Sequence, residues 1–362
     1  MDLTWVFRVK YNHPMATGYL FDPLYLQHFQ RGHVEGPERL DAIGRALDET
    51  GLRDRLVAVT PQPISIGRLA RVHHTRHIER VRSVAARGGG GLMGRGDETY
   101  VAPQSYDAAL LAAGAVVTGV EAVLRGEVKN AFALVRPPGH HAFADHGEGF
   151  CLFNNVAIAA AAARAEFRID RVLIVDFDVH HGNGTNAIFY RDPGVLYFST
   201  HQWGIYPGSG YWDEVGEGAG VGYSVNVPLL PGWGDTALQS VFDDLLVPIA
   251  RRFQPQLLLV SAGYDPSWTD QLGSLLVTTP GFFNLTRTLV QLSEALCGGK
   301  LVMTLEGGYG LNGLAYGVMA SFAAMLGDES AADPVGPARY TEKPFDRQYL
   351  DQLRAWHGLP SS

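Results

Sequence analysis

Along the middle of the chain, short runs of aliphatic and β-branched residues alternate with longer alanine-rich or amphipathic stretches. The short runs are continuously apolar, the pattern of strands buried on both faces, as in a parallel sheet between helical layers. Five such runs stand at residues 131–135, 171–175, 195–198, 257–260 and 301–305. Helices are predicted over 105–124, 155–167, 236–252 and 279–296, the last with Pro280 in its first turn, where the missing N–H is harmless. This is the strand–helix rhythm of an α/β fold. The first hundred residues read as loops and two or three helices, with 38–50 amphipathic and stopped by Gly51. The glycine run 88–91 reads as a surface loop, since neither a preceding apolar strand nor a following Lys-Ser/Thr makes it a phosphate cradle. After Gly327 the chain is polar and proline-containing, and a short helix at 345–357 is expected to pack on the surface.

Composition narrows the class. With 46% hydrophobic and 18% charged residues, the chain can bury a large core, and 362 residues suit one large-sheet domain, though two could be accommodated. A net charge of -8 argues against a nucleic-acid partner, which calls for a concentrated basic surface, and tolerates a cationic substrate. Cys151 and Cys297 lie far apart among apolar or glycine neighbours, so buried free thiols are expected rather than a disulfide or a cysteine metal site. No stretch approaches the roughly 20 uninterrupted apolar residues of a membrane span. Residues 1–11 lack an apolar run followed by a cleavage site. A cytoplasmic protein with no membrane partner is the expectation.

In a parallel sheet all the strand carboxyl ends emerge on one edge, and here each apolar run is followed at once by reactive groups. That edge would gather Arg136 and the pair His140-His141, then Asp176, Asp178, His180 and Asn183, then Ser199 and Thr200, then Asp265, and finally Glu306 and Tyr309. Asp176, Asp178 and His180 stand at i, i+2 and i+4, so on an extended backbone their side chains leave on one side and two of them can share a cation. Asp265, after Gly263, is the best-placed third ligand from another strand end. Two carboxylates and one imidazole suit zinc and leave a fourth position for water or substrate; Fe(II), Mn(II) and Co(II) suit the same set. Pro137-Pro138-Gly139 makes a stiff turn that would hold the two imidazoles rigidly beside such a metal. Tyr309, flanked by Gly307-Gly308 and Gly310, can approach a ligand closely and offer its hydroxyl to a developing oxyanion.

These motifs, in this order, resemble the histone deacetylase superfamily, which includes acetylpolyamine amidohydrolases and acetoin-utilisation proteins. The resemblance rests on residues 136–141, 149–155, 176–184, 261–265 and 306–309, with weaker likeness at 33–40 and 74–81, and covers about 11–325. It implies the arginase-deacetylase fold, a mostly parallel eight-stranded sheet between helical layers, as a single domain over 1–362 with 328–362 a C-terminal extension. It also implies one zinc ion per chain on Asp178, His180 and Asp265. His140 would pair with Asp176 and His141 with Asn183, where the class II branch carries asparagine. A carboxylate partner raises an imidazole's pKa and a neutral amide does not, so His141 should be the neutral base and His140 the cation. Structural K+ or Na+ is implied on Asp176, Ser199 and the carbonyls of Asp178, His180 and Thr200. Gly149, Phe150 and Tyr206 would line a narrow channel, with Tyr206 departing from the usual phenylalanine.

The resemblance implies deacylation of an acylated lysine peptide or a small acylated amine, with zinc and Tyr309 polarising the carbonyl and His141 moving the protons. Polyamine-selective class II relatives carry a glutamate near residues 270–273, where this sequence has Leu272. That favours acyl-lysine in peptides or proteins, with acetylpolyamine hydrolysis as the alternative. A zinc-binding scaffold with little turnover is a further alternative, and a ureohydrolase would need two manganese ions and more acidic ligands. Oligomerisation is left open.

Overall fold

Runs of Leu, Ile and Val with no polar interruption have nowhere to go but the interior, and they form the middle of one large sheet. The computed structural model describes residues 16–360 apart from 94–97, so the first residues of the resemblance, from Tyr11, lie outside it. Its strands are β1 (Thr17–Leu20), β2 (Val57–Ala58), β3 (Gly90–Gly91), β4 (Tyr100–Val101), β5 (Asn130–Ala133), β6 (Val172–Asp176), β7 (Val195–Gln202), β8 (Ser224–Leu229), β9 (Leu257–Ala262) and β10 (Leu301–Leu305). Eight of them make a sheet in the order β2-β1-β5-β10-β9-β6-β7-β8, and every ladder in it is parallel. Every residue of β6, β7, β9 and β10 is buried, each large aliphatic side chain contributing roughly 1.5–3 kcal/mol.

Helices Ser105–Leu124 and Asn155–Phe167 pack together, while Glu38–Glu49, Thr279–Cys297 and Leu311–Leu326 form a second group, and both groups contact the sheet. The result is the three-layer α/β architecture the motifs implied. Ser105–Leu124 is the one helix among the described residues long and apolar enough to cross a membrane, but it is 72% buried and packs on Asn155–Phe167 and β5. Its apolarity is that of a core helix.

Three sheet strands have no counterpart among the predicted runs. β1 is only four residues and contains Gly18, and β2 is a two-residue edge. β8 carries Ser224, Asn226 and Pro228, which break its apolar signal. Pro228 is tolerated because β8 is the last strand, so its missing N–H deprives no neighbour. The glycine run is also less open than a free loop, since Gly90 and Gly91 pair antiparallel with Val101 and Tyr100.

The helix predicted over 236–252 is corrected in the structure to Asp235–Val241, a wide π turn over Phe242–Leu246, and Val247–Phe253. Pro248 explains the break: it has no N–H to give to the carbonyl of Asp244. Arg354, from the C-terminal helix Arg347–Trp356, donates to that carbonyl instead. Leu350 and Leu353 of the same helix are buried, so the polar tail is fastened to the body at a point that a proline left open.

Candidate active site

β6 ends at Asp176, and the next residues turn rather than continue extended. The same-side placement expected of an extended i, i+2, i+4 run is therefore produced by side-chain-capped turns. The Asp178 amide donates to Asp176 Oδ1 (3.2 Å) and the His180 amide donates to Asp178 Oδ1 (2.9 Å). Asp265, after β9, is held by the Val179 amide on its Oδ1 (2.9 Å), and Asp178 Oδ2 accepts from the Gly307 amide (2.8 Å) after β10. Ligand-type atoms of Asp178, His180 and Asp265 then lie within 4.8 Å of one another, all buried.

This trio fits a divalent cation. His180 Nδ1 lies 3.0 Å from Asp178 Oδ1 and 3.2 Å from Asp265 Oδ2. Only the first contact has hydrogen-bond geometry, and Asp265 Oδ2 is left buried with no donor. Buried carboxylates without donors are costly unless a cation answers them. Room is kept at the same point by glycine: a Cβ on Gly263 would fall 2.1 Å from Asp178 Oδ2, and one on Gly307 would fall 2.2 Å from Asp265 Oδ2. Burial, followed by Asp178, pushes the Asp265 carboxyl up to about 7. Asp178 moves the other way, because His140 and His180 outweigh its burial.

The Pro-Pro-Gly turn is gripped by Glu306, whose Oε2 accepts from the amides of Gly139 (2.7 Å) and His140 (3.2 Å) while Oε1 accepts from Ser261 Oγ (3.0 Å). His140 Nδ1 lies 3.0 Å from Asp176 Oδ2 and His141 Nδ1 lies 2.8 Å from Asn183 Oδ1. Burial disfavours charge on both rings, and their partners decide the outcome. Asp176 and Asp178 overcome burial at His140 and drive it up to about 10. At His141 burial is joined by repulsion from His140 and His180, so its pKa falls well below the ordinary value. The tautomer of His141 follows from Asn183, whose Oδ1 also accepts from the Gly184 amide (3.1 Å). That oxygen can only accept, so His141 carries its proton on Nδ1 and leaves Nε2 bare.

Tyr309 is nearly buried, and burial is the main reason its hydroxyl stays protonated far above the usual phenol range. Asp270 Oδ2 fixes its loop by accepting from the amides of Tyr309 (2.6 Å) and Gly310 (2.7 Å). Arg39 lies 5.0 Å from the centre of its ring. Gly149, Phe150, Tyr206, Leu272, His141 and His180 together line one cavity of about 600 Å³. Gly149 has φ +54°, and a Cβ there would meet the His141 ring at 2.3 Å. Phe150 itself takes the left-handed region (φ 68°), a conformation that bulky residues adopt mainly where a site demands it. Ser199 stands level with Asp176 on the neighbouring strand. Thr200 is buried, with no hydrogen-bond partner for its hydroxyl.

Glu306, Asp270, Glu148, Glu35 and Arg39 hold the site together without any mark of that role in the sequence. Glu306 was in plain view at a strand end, but its role, holding two amides of a distant turn, exists only in three dimensions. Glu35 and Arg39 sit in the weakly matching stretch 33–40, where no strand or helix signal connects them to the site. Cys151 and Cys297 are buried free thiols, and burial raises both pKa values.

Comparison with known proteins follows the same lines. The histone deacetylase domain family matches residues 33–325. A histone deacetylase-like amidohydrolase of Pseudomonas aeruginosa is 38% identical over 336 residues, 91% of this chain and 88% of that one. The human polyamine deacetylase HDAC10 is 38% identical over 340 residues, 90% of this chain and 50% of that longer one. Among solved structures, the HDA15 HD domain superposes with a TM-score of 0.85 at 37% identity, covering 95% of this chain and 94% of its own. The chain therefore belongs to the histone deacetylase family of amidohydrolases.

Proposed function

We propose that the chain is a zinc-dependent deacetylase that hydrolyses the amide of acyl-lysine in peptides or proteins, releasing acetate and free amine. The observation that carries this reading is one cavity lined by His141, Phe150, Tyr206 and Leu272 together with His180, itself one of the trio suited to a cation. A zinc ion on Asp178, His180 and Asp265 would supply a Lewis acid for the carbonyl and bring the pKa of water down towards about 7. Phe150 and Tyr206 flank the aliphatic chain of the substrate. Tyr309, kept protonated by burial, donates from its hydroxyl to the carbonyl oxygen as negative charge gathers there. His141 accepts a proton on Nε2 from the attacking water and passes it to the nitrogen as the C–N bond breaks. His140, cationic beside Asp176, adds positive charge to the floor of the site. K+ or Na+ on Asp176, Ser199 and the carbonyls of Asp178, His180 and Thr200 belongs to the same reading. His201 Nε2 faces the Gly210 carbonyl (2.8 Å), so its Nδ1 must accept from Ser199 Oγ (2.9 Å), leaving the Ser199 lone pairs free for a cation.

Leu272 offers no charge to a distant ammonium, which favours acyl-lysine. The second reading, acylpolyamine hydrolysis, is favoured by Glu98 and Glu148 on the same cavity and by the likeness to a human polyamine deacetylase. The test is to load the protein with metal, count metal per chain, and assay acetyl-lysine peptide, longer acyl-lysine peptides and acetylated polyamines with and without chelator. One zinc per chain and chelator-sensitive turnover, fastest on acetyl-lysine, is expected. Faster turnover of polyamines moves the assignment to the second reading, and bound zinc without turnover of any amide defeats both in favour of a scaffold.

Tyr309→Phe should lower kcat about a hundredfold, on the order of 3 kcal/mol in the barrier, with the metal retained. An unchanged kcat removes the oxyanion role from Tyr309.

A further inference from the structure

The loop that carries Gly149 and Phe150 also carries Glu148, a side chain about one third exposed. Its Oε1 accepts two hydrogen bonds, from Asn183 Nδ2 (2.7 Å) and from the Tyr206 hydroxyl (2.9 Å). Its Oε2 lies 3.6 Å from His146 Nε2, and His146 is stacked on Phe143 with ring centres 4.5 Å apart. Glu148 and Tyr206 line the substrate cavity and also a second cavity of about 630 Å³ that runs past Asn183, His181 and Asn186. These two are the lining residues that both cavities share.

Glu148 thus touches both halves of the site by one oxygen. A carboxylate can only accept, so it must face the amino side of Asn183, and the carbonyl side is thereby turned to His141. Through that amide the His141 ring is held with its proton on Nδ1 and Nε2 towards the cavity. The same oxygen holds Tyr206, which lies 47% exposed and packs edge-on against His141 with ring centres 5.1 Å apart. The Tyr206 hydroxyl, where a phenylalanine would leave nothing, gives the channel wall an anchor.

We propose that Glu148 is a positioning residue that couples the two walls, orienting His141 through Asn183 while tying Tyr206 over the substrate channel. The inference rests on the reading of His141 as the group that moves the proton. Removing Glu148 takes the acceptor from Asn183 Nδ2, leaving the Gly184 amide on Oδ1 to orient that side chain against His141, and takes one anchor from the Tyr206 hydroxyl, so both proton transfer and substrate capture suffer. Substituting glutamine keeps an acceptor oxygen for both bonds and should restore much of the loss.

The experiment uses the metal-loaded full chain and whichever acylated amine it hydrolyses best. Glu148→Ala should lower kcat about tenfold to a hundredfold and raise KM as well. Glu148→Gln should return to within about threefold of the parent kcat, as a neutral acceptor is weaker than a carboxylate by about a factor of two. Tyr206→Phe should act on KM more than on kcat. Nitrogen-15 spectra of the His141 ring should show one tautomer, protonated on Nδ1, in the parent and in Glu148→Gln, and a mixture in Glu148→Ala. If alanine destabilises the loop, Glu148→Met, of similar length and without an acceptor oxygen, takes its place. A kcat within twofold of the parent in the alanine or methionine variant, or a glutamine variant no better than these, overturns the proposal. If the parent hydrolyses no acylated amine, the functional reading fails; the ring spectra still decide whether Glu148 sets the His141 tautomer.

Discussion

Asp265→Asn is expected to abolish metal binding and turnover together while leaving the fold intact. The substitution preserves shape, and the Val179 amide still finds an acceptor in the position of Oδ1. At the position of Oδ2 the variant presents two hydrogens in place of lone pairs, at the one oxygen of the trio that has no hydrogen-bond donor. A cation would then face a donor instead of a ligand. Metal per chain should fall from about one to near zero by elemental analysis, and turnover should fall to the assay background. Thermal melting gives a readout independent of activity. A ligand that binds only the folded chain stabilises it by about 4 kcal/mol at a thousandfold excess over Kd, so chelator should lower the Tm of the parent and leave that of the variant unmoved. A variant that still holds one metal per chain and hydrolyses the substrate at the parental rate would remove Asp265 from the site.

The part of the fold legible in the sequence is the part governed by continuous burial. Residues 301–305 and 105–124 carry their element type in their own side chains, and the structure places strand and helix there with the same bounds. β8 was illegible because alternation of polar residues and a proline describe an edge that only the neighbouring β7 turns into a strand. The break in the helix at Pro248 could be anticipated from its missing N–H, but the Arg354 that answers the freed carbonyl lies 110 positions away. A similar limit divides the site. Asp178, His180, His140 and His141 announce themselves by spacing, since adjacent or alternate residues must share a locality. Glu148 and Asp270 act on backbone amides, an amide side chain and a phenol supplied by other loops, and a glutamate or aspartate on a loop carries no mark of which groups it will meet.

The least visible element from sequence is the buried cluster around Glu35, and the largest effect on stability is expected there. Glu35 is fully buried and meets two arginines: Arg136 NH2 donates to its Oε2 (2.8 Å) and Arg39 NH1 to its Oε1 (3.0 Å). Tyr100 Oη lies 3.4 Å and His28 Nε2 lies 3.5 Å from Oε2. Arg39 in turn donates from Nε to the carbonyl of Gly308 (2.6 Å) and from NH2 to that of Glu306, so the cluster braces the loop that presents Tyr309. Glu35→Ala leaves two guanidinium groups buried without a carboxylate and should cost about 3–5 kcal/mol in the free energy of unfolding, read as a lower midpoint in urea. Turnover should fall as well, because the Gly308 carbonyl is held by an arginine that has lost its partner. Burial alone would raise the pKa of Glu35, but Arg136, His28 and Arg39 hold it well below the ordinary glutamate value. A depressed carboxylate stabilises the fold fully above its unfolded pKa, and this contribution drains away as pH falls through the folded one. The parent should therefore lose stability on acidification below the ordinary glutamate range, and the alanine variant, already without this group, should lose less over the same interval. Equal acid sensitivity in the two chains, or an unfolding free energy changed by less than about 1 kcal/mol, would mean that the arginines are satisfied by their carbonyl partners alone.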